Sequence, residues 1–273
     1  MARSALLNVM TSAALKAGRA LSRDFGEVQN LQVSMKGPGD FVSNADKNAE
    51  KIIRVELDRA RPGYGFLMEE SGERKGRDNN HRWIVDPLDG TTNFLHAIPI
   101  FAVSIALERD GEIVAGVIYN PAMDELYVAE RGSGAFLNDR RLRVANRREL
   151  VDCVVGAGIP HIGRKWHGKF LEQQRRFMLE TSGIRRLGAV ALDLAYVAAG
   201  RLDGFWEQGL SAWDIAAGTI IVREAGGMVS DLEGRNLMMD NGSVCAGNPV
   251  IHKKMLGVIK DADSANMKTE ISS

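Results

Sequence analysis

The chain is organised around Trp83–Phe94, a stretch that reads WIVDPLDGTTNF. Its first three residues are apolar and predict the end of a buried strand. Two aspartates three positions apart follow, Asp86 and Asp89, with Pro87 between them and a Gly-Thr-Thr-Asn turn behind them. Carboxylate and carbonyl oxygens are the ligands that Mg²⁺ prefers, and glycine lets a backbone approach a phosphate closely. The stretch therefore predicts a site for divalent metal and phosphate.

Length and composition are those of an ordinary globular protein. The chain has 273 residues, 45% of them hydrophobic, and its 35 basic residues balance 35 acidic ones. The length allows one large α/β unit or two closely packed lobes. A net charge of zero gives no global reason to bind nucleic acid or an acidic membrane surface. Cys153 and Cys245 lie far apart without a C-x-x-C motif, which favours buried, reduced thiols in an intracellular protein.

The N-terminal segment shows neither a signal peptide nor a membrane span. Lys16, Arg19 and Arg23 interrupt its apolar residues, and no apolar run reaches the roughly 18–20 residues needed to cross a bilayer. We therefore expect a cytoplasmic protein that does not enter the membrane.

The first half of the chain predicts two helices followed by a mainly antiparallel sheet. Apolar residues at three- and four-residue steps predict a helix over residues 3–23. Ser43 and Asp46 outline a capping box for a second helix, which ends at Arg61-Pro62-Gly63. The breaker-rich segment 36–40 predicts a turn or mobile loop. Strands are predicted at 64–68, 81–85, 101–107, 113–119 and 125–129, with a hairpin at 132–138.

In the second half, short strands alternate with helices, a pattern typical of an α/β layout in which helices cover sheet faces. The tail from Ala262 is expected to fray. Near residue 150 the pattern changes. We expect an N-terminal α+β lobe, residues 1–150, with the main sheet and the metal motif, and a C-terminal α/β lobe, residues 151–273, in one catalytic unit. Strands are predicted at 153–157, 184–187, 204–206, 228–230 and 244–246, and helices at 166–179, 189–199, 213–225 and 250–260.

Four acidic residues, Glu69, Asp86, Asp89 and Asp214, follow apolar strands or open a helix. If the strands before Glu69 and Asp86 are neighbours, their ends bring these two side chains together. Clustered carboxylates raise their own pKa values unless cations neutralise them. Bound Mg²⁺ would neutralise them and would also bind phosphate and activate water. Structural alternatives exist, because Ser211-x-x-Asp214 also fits a capping box and Glu69 also fits a solvated loop.

The residues after Asp89 suit a phosphate. Gly90 lets the backbone approach closely, Thr91 supplies a hydroxyl, and N–H groups at a helix start bind phosphate oxygens. Asp46 opens the second helix and is a candidate to orient Thr91, with a plain helix cap as the alternative.

Three motifs give the chain a resemblance to a known family. Residues 86–93 read DPLDGTTN, residues 213–218 read WDIAAG and lead to EAGG at 224–227, and residues 69–71 read EES. In their order along the chain, these motifs resemble the signatures of the inositol monophosphatases, which are lithium-sensitive, Mg²⁺-dependent sugar-phosphate phosphatases. The resemblance extends from the first helix to about residue 250. Residues 192–201 most resemble the bacterial suppressor-type branch, whose members are implicated in RNA-polymerase antitermination complexes and ribosome assembly.

The resemblance implies a fold, an oligomeric state and a metal centre. The fold would be a layered αβαβα sandwich of the inositol monophosphatase and fructose-1,6-bisphosphatase type, usually a homodimer. Glu69, Asp86 and the Leu88 carbonyl match the ligands of the first metal. Asp86, Asp89 and Asp214 match those of the second, with two or three Mg²⁺ ions in all.

The resemblance also implies catalytic and substrate-binding roles. Thr91 and Asp46 match the pair that positions and activates the attacking water, and Glu69 is grouped with them as catalytic. Lys36 falls on a mobile loop that closes near the metals. Ala189 and Val190 differ from some animal members, a departure that bears on substrate preference. The expected substrate contacts are Asp89, Gly90, Thr91, Gly188, Ala189, Glu207 and Asp214.

These observations predict hydrolysis of myo-inositol monophosphate to inositol and phosphate by metal-activated water. One alternative is another phosphatase specificity, for fructose 1,6-bisphosphate, histidinol phosphate or an adenosine 3′-phosphate. A bisphosphate would need extra basic residues, for which Arg164, Lys165, Arg185 and Arg186 are candidates. The other alternative is a scaffold that binds RNA polymerase and transcription elongation factors.

Overall fold

The computed structural model describes residues 3–25, 33–37, 40–162 and 166–271. The helices in these ranges are α1 (Ala5–Phe25), α2 (Asn44–Ala60), α3 (Thr91–Leu95), α4 (His167–Glu180), α5 (Val190–Ala198), α6 (Ala212–Glu224), α7 (Met238–Asn241) and α8 (Pro249–Ile271). The first ten strands are β1 (Val33–Gly37), β2 (Asp40–Ser43), β3 (Gly65–Met68), β4 (Gly72–Arg74), β5 (His81–Asp89), β6 (Ala102–Arg109), β7 (Glu112–Asn120), β8 (Glu125–Glu130), β9 (Gly134–Leu137) and β10 (Arg140–Arg141). The last five are β11 (Val154–Ala157), β12 (Gly183–Arg185), β13 (Gly204–Gln208), β14 (Met228–Ser230) and β15 (Ser243–Gly247).

Two mixed sheets carry the architecture. The large sheet has the strand order β10-β9-β8-β7-β6-β5-β3-β4, and β5 to β9 form the antiparallel meander that the alternating pattern predicts. Within it, β3 runs parallel to β5. The small sheet has the order β12-β11-β13-β15-β14, in which β11 is parallel to both of its neighbours.

Helices and sheets stack in five layers. Helices α1 and α2 pack on one face of the large sheet around a core that includes Trp83. Helices α5 and α6 fill the space between the two sheets, where Ile221 is fully buried. Helices α4 and α8 cover the outer face of the small sheet, and there Phe177 stacks on Trp206 with ring centroids 4.0 Å apart. This order confirms the predicted αβαβα sandwich.

Two segments differ from the sequence-based prediction, and a third lies partly outside the described residues. Of the segment 36–40, predicted as a turn or mobile loop, Lys36 and Gly37 lie on β1 and Asp40 lies on its antiparallel partner β2, and residues 38 and 39 lie outside the described residues. The strand predicted to end at Val85 continues to Asp89, because its polar residues go on pairing with β6 beyond the apolar run. The polar tail after Ala262 stays helical as far as Ile271.

Two further sequence-based expectations concern the thiols and the membrane. Cys153 and Cys245 are buried free thiols, as predicted. Across the ranges that the structure covers, no helix combines the length and apolarity that a bilayer crossing requires.

Candidate active site

Glu69 and Asp86 stand side by side at the end of two parallel strands. Strand β3 pairs with β5 so that Met68 lies opposite Val85, and the next residue of each strand therefore reaches the same edge. The Glu69 N–H donates to the Val85 carbonyl at 3.1 Å. Burial raises the pKa of Asp86, and the Glu69 side chain lies near enough to raise the pKa of that carboxyl further. The strand pairing expected from the sequence is confirmed.

An irregular step in β5 turns Asp89 towards the second half of the chain. Asp86 lies opposite Ser104 and Asp89 opposite Ala102, with a register shift between these two pairs. The Oδ2 atom of Asp89 accepts the N–H of Ala191 at 2.7 Å, in the first turn of α5. A helix N-terminus favours a carboxylate because its N–H groups and dipole present positive charge. Asp89 thereby links the large sheet to a helix between the two sheets.

Asp46 is both a helix cap and a partner of Thr91. Its Oδ2 atom accepts the N–H of Ser43 at 2.8 Å and the Ser43 hydroxyl at 2.6 Å, which completes the predicted capping box of α2. Its Oδ1 atom accepts the Thr91 hydroxyl at 2.9 Å. The Leu88 carbonyl lies 3.0 Å from the same hydroxyl. The cap and the contact with Thr91 therefore coexist, because they use different oxygen atoms.

Asp214 reaches the cluster from the first turn of α6. Its Oδ2 atom accepts the N–H of Ser211 at 2.7 Å, so the capping box predicted here is present as well. Helix α6 packs on β5 and β6, and the Ser104 hydroxyl donates to the Trp213 carbonyl at 3.4 Å. Since Ser104 lies opposite Asp86 in the sheet, this contact brings the start of α6 to the acidic edge.

The carboxyls share a buried region with an excess of negative charge. Asp86 is 2% exposed and Asp89 is 8% exposed. Burial, followed by the charges of Glu69, Asp89 and Asp214, raises the pKa of Asp86 well above its ordinary value. Burial also raises the pKa of Asp89 to about 7, although the Ala191 N–H acts in the opposite direction. A bound cation would offset this excess of negative charge at Asp86 and Asp89.

The donor atoms of this edge fit a hard divalent cation. All are oxygens, from the four carboxyls and the Leu88 carbonyl, and such ligands suit Mg²⁺, Ca²⁺ or Mn²⁺. Within the described ranges, no three His, Cys, Asp or Glu side chains already form a closed ligand set. Asp86 Oδ1 accepts the Leu88 N–H at 2.9 Å. A closed set is not needed for Mg²⁺, because it keeps several waters and uses few protein ligands.

The metal-free protein is expected to lose stability as the pH rises from 4 to 8. A carboxyl with a raised folded pKa binds more protons folded than unfolded, so the free energy of unfolding falls between the two pKa values. This window runs from 3.8 to about 7 for the pKa of Asp89 and from 4.5 to about 8 for that of Glu207. Urea unfolding midpoints in EDTA at pH 5 and pH 8 measure the effect, and Mg²⁺ should restore stability at pH 8. Equal midpoints would contradict the shared burial of these carboxyls.

The segment expected to contact the sugar lies directly against the metal motif. Gly90 has a φ of 89°, and a Cβ there would lie 2.9 Å from the Ile100 carbonyl oxygen and 3.1 Å from the Ala189 Cβ. Only glycine fits this turn without strain. The Asn93 side chain donates to the carbonyls of Ile100 and Leu187 at 2.8 and 2.9 Å, and so ties residues 187–189 to the motif.

Glu207 on β13 adds a partly buried carboxyl on the same side. Burial, followed by the charges of Asp214 and Asp89, raises the pKa of Glu207 to about 8, and Arg186 acts in the opposite direction. Arg186 also borders the sugar segment, because a Cβ on Gly188 would lie 2.6 Å from its Nη1 atom. The structure thus brings the sequence-predicted substrate positions to the same end of the sheets as the carboxyl cluster.

Of the two described candidates for a second phosphate, Arg185 and Arg186, only Arg186 is found beside these carboxyls. Arg185 is exposed and donates from Nη1 to its neighbouring Ile184 carbonyl at 3.0 Å. Arg164 and Lys165 lie outside the described residues.

Gly158 should control the position of Glu207. A Cβ on Gly158 would fall 1.7 Å from the Glu207 carboxyl carbon. In Gly158→Ala we expect the mobile end of Glu207 to move, so KM for a sugar phosphate should rise about threefold to tenfold, as for one lost hydrogen bond. The free energy of unfolding should change by less than about 1 kcal/mol, because a flexible side chain moves rather than backbone.

The matched control for this substitution is Gly257→Ala. Gly257 lies in α8, and a Cβ there meets nothing within 4 Å. This variant should leave KM unchanged and stabilise the helix by about 0.5–1 kcal/mol. An unchanged KM in Gly158→Ala would show that the Glu207 carboxyl does not contact substrate.

Two groups that support the site are not among the residues predicted from the sequence. Glu50 is buried, and its Oε2 atom accepts the N–H groups of Glu70 and Ser71 at 2.9 and 3.4 Å, which fixes the turn after Glu69. A signal for it was present, because Glu50 lies one helical turn after Asp46 on the same face of α2. The other group is the Ala191 N–H that binds Asp89, and no sequence signal identifies a backbone donor.

Comparisons with known proteins give a consistent result. A protein-family model described as "Inositol monophosphatase family" matches residues 2–264. A protein of Mesorhizobium japonicum named inositol-1-monophosphatase is 72% identical over 97% of this chain and 100% of its own length. The Nus factor SuhB of Escherichia coli K12 is 43% identical over 98% of this chain and 97% of its own length. The crystal structure of the extragenic suppressor protein suhB from Bartonella henselae is similar, with a TM-score of 0.92. It is 63% identical in sequence and covers 94% of this chain and 99% of its own chain.

Proposed function

The chain belongs to the inositol monophosphatase family, and we propose that it is a Mg²⁺-dependent phosphomonoesterase that hydrolyses myo-inositol monophosphate to inositol and phosphate. The observation that carries this proposal is the convergence of Glu69, Asp86, Asp89 and Asp214 on one edge. Three separate segments contribute these carboxyls, and burial with mutual repulsion leaves them in need of cations. The names of relatives at 72% and 64% identity, both inositol-1-monophosphatase, support the substrate.

We assign the metal ligands as expected from the family pattern. Glu69, Asp86 and the Leu88 carbonyl would hold one ion, and Asp86, Asp89 and Asp214 a second. When bound, two or three Mg²⁺ ions would neutralise phosphate charge, lower the pKa of a water and stabilise the leaving oxygen.

Thr91 and Asp46 would position the attacking water. A hydroxyl has one proton to donate, and Thr91 has two acceptors within reach, Asp46 Oδ1 and the Leu88 carbonyl. When the proton points to Asp46, the lone pairs of Thr91 are free to accept a proton of the water. Burial raises the pKa of Asp46, although the bonds from Ser43 and Thr91 lower it. A raised pKa makes a carboxylate a better acceptor for a proton of the water.

Substrate orientation would depend on residues of the second half. We assign contacts with the sugar hydroxyls to Glu207 and to the backbone at Gly188 and Ala189. The turn at Gly90 and Thr91 would bind the phosphate. Lithium sensitivity, the homodimer, the cytoplasmic location and the division into lobes at residue 150 stay predictions.

A phosphate-release panel tests the substrate. The purified chain should release phosphate from myo-inositol 1-phosphate with Mg²⁺ and not in EDTA. Fructose 1,6-bisphosphate, histidinol phosphate and adenosine 3′-phosphate are the competing substrates, and Arg186 is the feature that favours a second anionic group. A value of kcat/KM for one of them that exceeds that for inositol phosphate would replace the proposed substrate.

A second candidate function is binding to RNA polymerase and its elongation factors. The observation that favours it is the relative named Nus factor SuhB, which matches 98% of this chain. A pull-down with purified RNA polymerase and elongation factors, repeated with Asp89→Asn, separates the two functions. Binding that survives the loss of turnover would establish a role independent of catalysis, and the absence of binding by both proteins would exclude it.

A further inference from the structure

A cavity separate from the candidate active site lies at the end of the large sheet opposite the carboxyl cluster. Its volume is about 200 Å³. His81, the first residue of β5, lines it, whereas Asp89, the last residue of that strand, belongs to the candidate active site. Nine residues of strand span about 26 Å, so the two sites are well separated. We call this space the distal cavity.

Three arginine side chains line the distal cavity. Arg61, Arg109 and Arg131 line it together with a single carboxylate, Glu130. Arg131 forms an ion pair with Glu112 outside the cavity. In the described part of the chain, no carboxylate pairs with Arg109. The local charge is therefore positive, although the chain as a whole is neutral.

The rest of the lining is apolar or aromatic. Leu107 and Val114, both nearly fully buried, contribute apolar surface. Tyr64 and His81 stack with ring centroids 4.3 Å apart and planes 8° from parallel, so the aromatic wall is ordered. The His81 ring is fixed further by Asp78, whose carboxylate lies 2.8 Å from Nδ1.

We propose that the distal cavity binds a small organic anion, whose phosphate or carboxylate contacts Arg109 and Arg61 and whose apolar body lies against Leu107, Val114 and Tyr64. Guanidinium groups bind planar or tetrahedral oxyanions through paired hydrogen bonds. Cavities that hold drug-sized molecules have volumes of about 300–1,000 Å³, so the occupant here is smaller. Neither the proposed hydrolysis nor its metals involve these residues.

Calorimetric titration of the full chain in EDTA tests the proposal, because removal of metal stops turnover. The probes are phenyl phosphate, benzoate and the neutral benzyl alcohol. At least one anion should bind at least tenfold more tightly than the alcohol, and the tighter of the two identifies the preferred head group. Equal affinity for the alcohol and the anions, or no binding of either anion, would overturn the proposal.

Two variants locate the binding. Arg109→Gln should weaken anion binding at least tenfold, or about 1.4 kcal/mol, and leave turnover with Mg²⁺ unchanged. Arg140→Gln removes the same charge from an exposed residue on β10, which does not line the cavity, and should leave anion binding unchanged. Equal affinities in Arg109→Gln and the unsubstituted chain would overturn the assignment, as would equal weakening in both variants.

Discussion

Replacement of Asp89 by Asn is expected to reduce kcat at least about 10³-fold while the chain stays folded. The loss should exceed the roughly 10–100-fold typical of an outer-shell partner, because Asp89 is assigned as a ligand itself. The Asn side chain can keep the hydrogen bond to the Ala191 N–H through its carbonyl oxygen. Its amide group then stands where the carboxylate would offer a second oxygen to metal. Phosphate release under saturating substrate measures the effect.

Stability measurements distinguish this explanation from misfolding. In EDTA at pH 8 the Asp89→Asn protein should be at least as stable as the unsubstituted chain, since a buried carboxyl whose pKa is raised to about 7 has been made neutral. Mg²⁺ should stabilise the unsubstituted chain more than the variant, because a ligand that binds only the folded state adds to its stability. Near-normal turnover by the folded variant would remove Asp89 from the metal centre.

Thr91→Val is expected to lower kcat by about 10²–10³-fold with a small effect on KM. Valine has nearly the shape of threonine but lacks the hydroxyl that lies 2.9 Å from Asp46 and 3.0 Å from the Leu88 carbonyl. The attacking water would then lose its protein acceptor, while the backbone of the phosphate-binding turn would be unaltered. Steady-state kinetics with inositol phosphate give kcat and KM separately.

The matched control is Thr91→Ser, which retains the hydroxyl and loses only a methyl group. It should keep kcat within about tenfold of the unsubstituted chain. If Val and Ser lowered kcat equally, the methyl packing rather than the hydroxyl would be the important feature. An increase in KM alone would indicate a role in phosphate binding.

The sequence predicts the acidic edge well because local rules determine it. Short apolar runs predict β3 and β5, and the ends of these runs predict the positions at which Glu69 and Asp86 emerge. Two capping boxes follow from the spacing of serine and aspartate, and both are present. These features depend on neighbours in the chain, so periodicity and residue type suffice to find them.

The remaining parts of the site depend on contacts distant in sequence. The Ala191 N–H meets Asp89 across 102 positions. The Glu207 carboxyl occupies space that the missing side chain of Gly158 leaves open. Neither contact has a local pattern, because the first arises only when α5 packs beside the large sheet and the second only when β11 and β13 pair in the small sheet. The extension of β5 through two aspartates was missed for a related reason, since pairing with β6 outweighs the low strand preference of aspartate.

Asp46 and Asp214 stabilise their helices as well as contributing to the candidate site, and this double role has an evolutionary consequence. In Asp46, one oxygen caps its helix and the other accepts the Thr91 hydroxyl, and in Asp214 one oxygen caps α6 beside the acidic edge. Replacement by alanine would remove the N3 partner of each capping box and cost on the order of 1 kcal/mol of helix stability, as for a lost helix cap, in addition to any activity. Such a chain would be removed by selection for folding even in a lineage that no longer needed turnover. Descendants that take up another role would therefore be expected to keep these aspartates, and their presence alone is weak evidence of catalysis.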